Sequence, residues 1–188
     1  MEGNTGKGFT VSGVLLTSWI AFRARNSLPL VAMSTAEGWR SRAAALGGYT
    51  TLCGLTFHTE FAVGASYYGI SDLVALATET HKFELHYTDW LIEPFRPNSA
   101  LYYDRSPINF TDRLSAPVIF LHGKDDQVVP INQAQRMYSA LQRRNIPTCL
   151  LIFQDEKHGF RQSAHLRQAL EAELLFYSIN LTRAPLTS

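Results

Sequence analysis

Two apolar runs near the end of the chain constrain its architecture more than any other feature. Val118-Ile119-Phe120-Leu121 leads into His122 and Gly123, and Cys149-Leu150-Leu151-Ile152-Phe153 leads into Gln154 and Asp155. Neither run alternates polar with apolar residues, so each reads as a strand covered on both faces. Between them, residues 132–143 place Ala134, Met137 and Leu141 at helical spacing, and residues 164–180 follow as a final amphipathic helix. Strand, helix, strand, helix predicts an α/β fold with a mostly parallel sheet and helices on both faces. Ligands of such sheets bind beyond the carboxyl ends of the strands, so chemistry is expected just after Gly123 and just after Phe153.

Upstream, residues 49–57 suit a helix and Phe61-Ala62-Val63-Gly64-Ala65-Ser66 a short buried strand ending in Tyr67-Tyr68-Gly69. Residues 71–110 are mixed, with Pro94, Pro97 and Pro107 as breakers, and residues 1–46 show no clean period. With 188 residues the expectation is one domain with a real core. A net charge of +1 gives no strong field for nucleic acid or an acidic membrane, so neither is expected as a partner. Cys53 and Cys149 read as two buried thiols. The apolar run from Phe9 to Phe22, with Lys7 before it, resembles a signal-peptide core, but Arg23 and Arg25 follow and no small-x-small cleavage site is evident. It is too short and too polar to span a bilayer, and the expected location is cytoplasmic.

Two residues stand where the fold puts chemistry. Asp126 follows the first apolar strand and His158 the second. Taken alone, Asp126 reads as a turn or N-cap residue and His158 as a loop residue with its ring in solvent. Together they match the acid-then-histidine order of α/β-hydrolases. A hydroxyl is a poor nucleophile at neutral pH and needs an imidazole to take its proton. The imidazole in turn needs a carboxylate to fix its tautomer and stabilise its cation. His58, His81, His86, His122 and His165 show no ligand spacing, so no metal and no other cofactor is expected. Asp125, Asp155 and Glu156 read as solvated loop charges.

Six segments carry a family resemblance: Gly47-Gly48-Tyr49-Thr50-Thr51-Leu52, Ala65-Ser66-Tyr67-Tyr68-Gly69-Ile70-Ser71-Asp72-Leu73, Thr80-His81-Lys82-Phe83-Glu84, Arg105-Ser106-Pro107-Ile108, Asp126-Gln127-Val128-Val129-Pro130 and His158-Gly159-Phe160-Arg161. Together they resemble the catalytic domain of prolyl oligopeptidase family serine peptidases, in the dipeptidyl or acylaminoacyl peptidase branch. The resemblance covers residues 47 to about 180 and implies the C-terminal half of an α/β-hydrolase fold. The other half and a β-propeller would precede it. It further implies a peptide substrate, Asp126 as triad acid and His158 as triad base. Tyr67 and Tyr68 are candidates for the substrate pocket, with core aromatics as the even alternative. The family's elbow is Gly-x-Ser-x-Gly-Gly-Tyr; here the aligned residues are Ala43-Ala44-Ala45-Leu46-Gly47-Gly48-Tyr49. Ala45 therefore occupies the nucleophile position, and the backbone N–H of Leu46 would be one oxyanion donor.

The missing serine has a candidate origin in the sequence. Joining the last base of each codon to the first two of the next lets Ala43-Ala44-Ala45-Leu46 encode Gly-Gly-Ser-Ala directly before Gly47. Met33 to Ser41 then permits Val-Asp-Gly-Arg-Arg-Leu-Ala-Ile, and Trp19 followed by Ile20 forces an Asp. Residues 1–46 are accordingly expected to be an out-of-frame, poorly packed segment, with residues 47–188 a partial peptidase domain and the chain as given inactive. The alternatives are an esterase or dienelactone-hydrolase-like enzyme, and a non-catalytic binding module on a hydrolase scaffold.

Overall fold

The computed structural model describes residues 30–32, 43–79 and 94–181. Among these, four parallel strands form one sheet in the order β1-β2-β3-β4: β1 Leu30–Ala32, β2 Phe61–Tyr67, β3 Val118–Gly123 and β4 Thr148–Phe153. The helices are α1 Ala43–Phe57, α2 Leu73–Glu79, α3 Ser99–Asp104, α4 Asn132–Arg143 and α5 Ser163–Leu181, with a 3-10 turn at Pro107–Phe110.

β3 is the centre of the core, and all six of its residues are buried. Val118 and Phe120 pack with Leu52 and Leu55 of α1 and with Ala134, Met137 and Leu141 of α4. Ile119 and Leu121 point the other way, into a cluster containing Ala169 of α5. A strand with helices on both faces has no solvated side, so its sequence cannot alternate. α4 stops at a glycine-like turn: Asn145 takes φ 57°. Its N–H bonds Gln142 O at 2.9 Å, and Ile146 N–H bonds Leu141 O at 3.1 Å. These are the two bonds of a Schellman cap, with Ile146 and Leu141 closing it in the core.

α1 begins six residues earlier than the pattern at 49–57 predicts. Alanines have the best helix propensity, and Ala43-Ala44-Ala45 extend the helix backwards. Gly48 is needed inside it, because a Cβ there would lie 2.5 Å from Tyr67 O and 2.6 Å from Gly69 Cα. The expected boundary between 46 and 47 falls inside this helix, and Leu30–Ala32 pairs with β2. The rest of residues 1–46, and the Thr80–Glu84 motif, lie outside the described residues. Cys53 is buried as expected, whereas Cys149 on edge strand β4 is only half-buried.

β3 and β4 pair in register from Val118↔Thr148 to Gly123↔Phe153. The loops that follow both strands therefore leave the sheet side by side.

Candidate active site

That register brings Asp126 and His158 together. Gly123 permits the close approach: a Cβ there would meet the carbonyl oxygens of Glu156 and Lys157 at 2.5 Å each. Lys124 N–H donates to Phe153 O and Asp125 N–H to Glu156 O, both at 2.9 Å, stitching the two loops. The Asp126 carboxylate then divides its oxygens. Oδ1 accepts the N–H groups of Val128 and Val129 at 2.9 Å each, which fixes the acid in a side-chain-capped turn. Oδ2 lies 2.8 Å from His158 Nδ1. A carboxylate only accepts, so Nδ1 carries a proton, and in the neutral ring Nε2 then keeps its lone pair. Nε2 is buried and has no hydrogen-bond partner among the described residues.

Side chains around the pair hold the imidazole in place. Tyr68 adopts φ 49°, an uncommon conformation for a residue with a Cβ. Its ring centroid lies 5.4 Å from that of His158 and 4.8 Å from that of Phe160. Its hydroxyl accepts the Phe160 N–H at 2.8 Å. Burial raises the Tyr68 hydroxyl well above its ordinary value, so it stays protonated. Gly159 turns the chain after His158 at φ 89°, a region side chains disfavour.

Of the remaining candidates, Tyr67 turns towards α5, and its hydroxyl donates to Glu173 Oε2 at 2.5 Å. Tyr68 is buried, with its ring tilted against that of His158. Ala45 and Leu46 stand in the first turn of α1, and their side chains lie outside the described residues. Among the described residues, no group of three or more His, Cys, Asp or Glu could hold a metal ion.

Two residues of the site escaped the sequence reading. His122, at the end of β3, is 1% exposed. Its Nε2 donates to Val129 O at 2.8 Å and lies 3.5 Å from Asp126 Oδ2. Burial lowers its pKa, so it is a neutral donor beside the acid. Glu156, read as a solvated charge, is 1% exposed. It accepts the N–H groups of Arg161 and Gln162 at 2.9 Å each and pairs with His165 Nδ1 at 3.0 Å. Burial alone would raise its carboxyl, but these donors outweigh it and hold the pKa below the usual range. Local sequence gives no sign of this; the two backbone donors follow the turn that Gly159 makes, and the third comes from α5.

The family model for the prolyl oligopeptidase family matches residues 44–183. The chain belongs to the prolyl oligopeptidase family. Among relatives, it is 27% identical over 174 residues to "Dipeptidyl peptidase family member 6" of Caenorhabditis elegans, covering 86% of this chain and 24% of that one. It is 31% identical over 120 residues to "Dipeptidyl aminopeptidase BIII" of Pseudoxanthomonas mexicana, covering 61% of this chain and 17% of the other. Among solved structures, a puromycin-hydrolysing peptidase of Mycobacterium tuberculosis superposes with a TM-score of 0.69 at 42% identity, over 72% of this chain and 20% of that one. This prolyl oligopeptidase family chain thus spans about a quarter or less of the length of these relatives. Its parallel sheet and flanking helices have the α/β-hydrolase fold of those neighbours.

Proposed function

We propose that the chain carries the acid–base part of a serine-type peptidase site, and that with Ala45 at the nucleophile position it is inactive as given. The observation that carries this reading is His158 Nδ1 held 2.8 Å from a buried carboxylate, with Nε2 free of a hydrogen-bond partner among the described residues. That is the geometry of a general base awaiting a hydroxyl. In a form with serine at the elbow, Nε2 takes the serine proton as Oγ attacks the peptide carbonyl. Asp126 stabilises the imidazolium that forms. His158 then returns the proton to the leaving amine, and water, activated by the same nitrogen, releases the acyl group. The Leu46 N–H is one donor to the oxyanion, with a second from upstream. Loss of a triad nucleophile costs on the order of 10⁶ in rate.

The absence of serine is proposed to come from residues 1–46 being read out of frame. One observation supports this: the family match starts at residue 44. The alignment to the nematode relative also takes in residues upstream of 44, and the frame reading requires its identities to concentrate downstream. The nucleotide sequence across codons 1–50 decides: a displaced frame that does not encode Gly-Gly-Ser-Ala before Gly47 refutes it. A full-length in-frame protein should hydrolyse short peptides, and preference for simple esters over peptides would favour an esterase instead.

A further inference from the structure

We infer that Glu156 is a positioning residue for the Asp126–His158 pair, one buried side chain and its own backbone fastening both loops that carry it. The inference rests on reading Asp126 and His158 as the acid–base pair. On the His158 side, Glu156 Oε2 takes the Arg161 N–H and Oε1 the Gln162 N–H, each at 2.9 Å. With Phe160 N–H on Tyr68 Oη at 2.8 Å, three successive amides after Gly159 are tied to side chains. On the Asp126 side, the Glu156 carbonyl takes the Asp125 N–H at 2.9 Å. A third donor, His165 Nδ1 at 3.0 Å, links the same carboxylate to the first turn of α5.

Hydrogen bonds to an ionised, buried carboxylate are stronger and more directional than neutral ones. The turn carrying His158 is therefore clamped by an anion rather than by packing alone. Catalytic geometry of this kind must be held to within about 0.5 Å, and locked supporting side chains do the holding. The hydrogen-bond partners of the Glu156 carboxylate are Arg161, Gln162 and His165 rather than Asp126 or His158, so its effect passes through the backbone of residues 156–162.

The test is nitrogen-resolved NMR of histidines in the full chain. The wild-type His158 Nδ1–H should give a slowly exchanging signal, assigned by its loss in His158→Gln, and a single Nδ1-protonated tautomer. In Glu156→Ala and Glu156→Gln, exchange should accelerate by about tenfold or more, a free-energy change of about 1.4 kcal/mol, and the second tautomer should become visible. His165→Ala, which leaves both backbone donors in place, should change neither. Circular dichroism checks the fold. Folded Glu156 variants with wild-type exchange and tautomer would overturn the inference. Global unfolding of both would also overturn it, assigning Glu156 to stability alone. A wild type with no protected His158 Nδ1–H would sink the pairing itself, and this inference with it.

Discussion

Replacing Asp126 separates its two tasks, holding a turn and orienting a base. The carboxylate receives three hydrogen bonds, from Val128 N–H and Val129 N–H at 2.9 Å each and from His158 Nδ1 at 2.8 Å. Asp126→Ala strands all three donors. Val129 is 1% exposed, so its amide loses its partner with no access to water; Val128 and the part-exposed His158 ring can recover some hydration. At about 1–3 kcal/mol for an unsatisfied buried group, the alanine variant should lose about 2–4 kcal/mol. Asp126→Asn keeps a carbonyl oxygen for the two amides and presents an NH2 to His158. The ring must then accept at Nδ1 and carry its proton on Nε2, the inactive tautomer for a base. That variant should lose only about 1 kcal/mol. Urea denaturation followed by far-UV circular dichroism measures the stabilities, and imidazole nitrogen shifts measure the tautomer. An asparagine variant as unstable as the alanine one, or one keeping His158 protonated on Nδ1, would refute the division of labour between Oδ1 and Oδ2.

Gly48→Ala should destabilise by about 1–3 kcal/mol, since its Cβ meets backbone at 2.5 Å; Gly54→Ala, whose Cβ meets only the Phe61 ring at 3.1 Å, should be near neutral by the same denaturation assay. Gly159→Ala should cost about 1 kcal/mol or more because φ 89° is unfavourable for alanine, and thermal melting will show it. The Glu156 carboxyl is depressed in the folded state, so its stabilising contribution is complete above the unfolded value of about 4.3 and is lost as pH falls through the lower folded value. Unfolding free energies measured across that acid range should therefore fall less steeply in Glu156→Gln than in the wild type.

The second half of the fold was legible because burial on both faces leaves a signature in unbroken apolar runs. β3, α4 and β4 lie where Val118–His122, residues 132–143 and Cys149–Phe153 place them, within a residue at each end. The start of α1 was not, because residues 1–46 show no clean period, while the helix propensity of Ala43-Ala44-Ala45 carries the helix back to residue 43. Asp126 and His158 were legible as a pair only through the parallel topology, which puts the ends of β3 and β4 side by side. Glu156 and His122 were not, since a buried polar residue is defined by partners distant in sequence or by a turn not yet folded. In Asp155-Glu156-Lys157 the middle residue looks like its neighbours, yet it is buried while both of them are exposed.

The central claim is that an oriented acid–base pair survives here without a nucleophile. Labelling the purified full chain with a fluorophosphonate probe tests it most directly, with the wild-type fold verified in the same sample. The account predicts no covalent adduct at any serine. Stoichiometric labelling of a serine that disappears in His158→Gln would contradict it, because that serine would be the nucleophile the chain is held to lack.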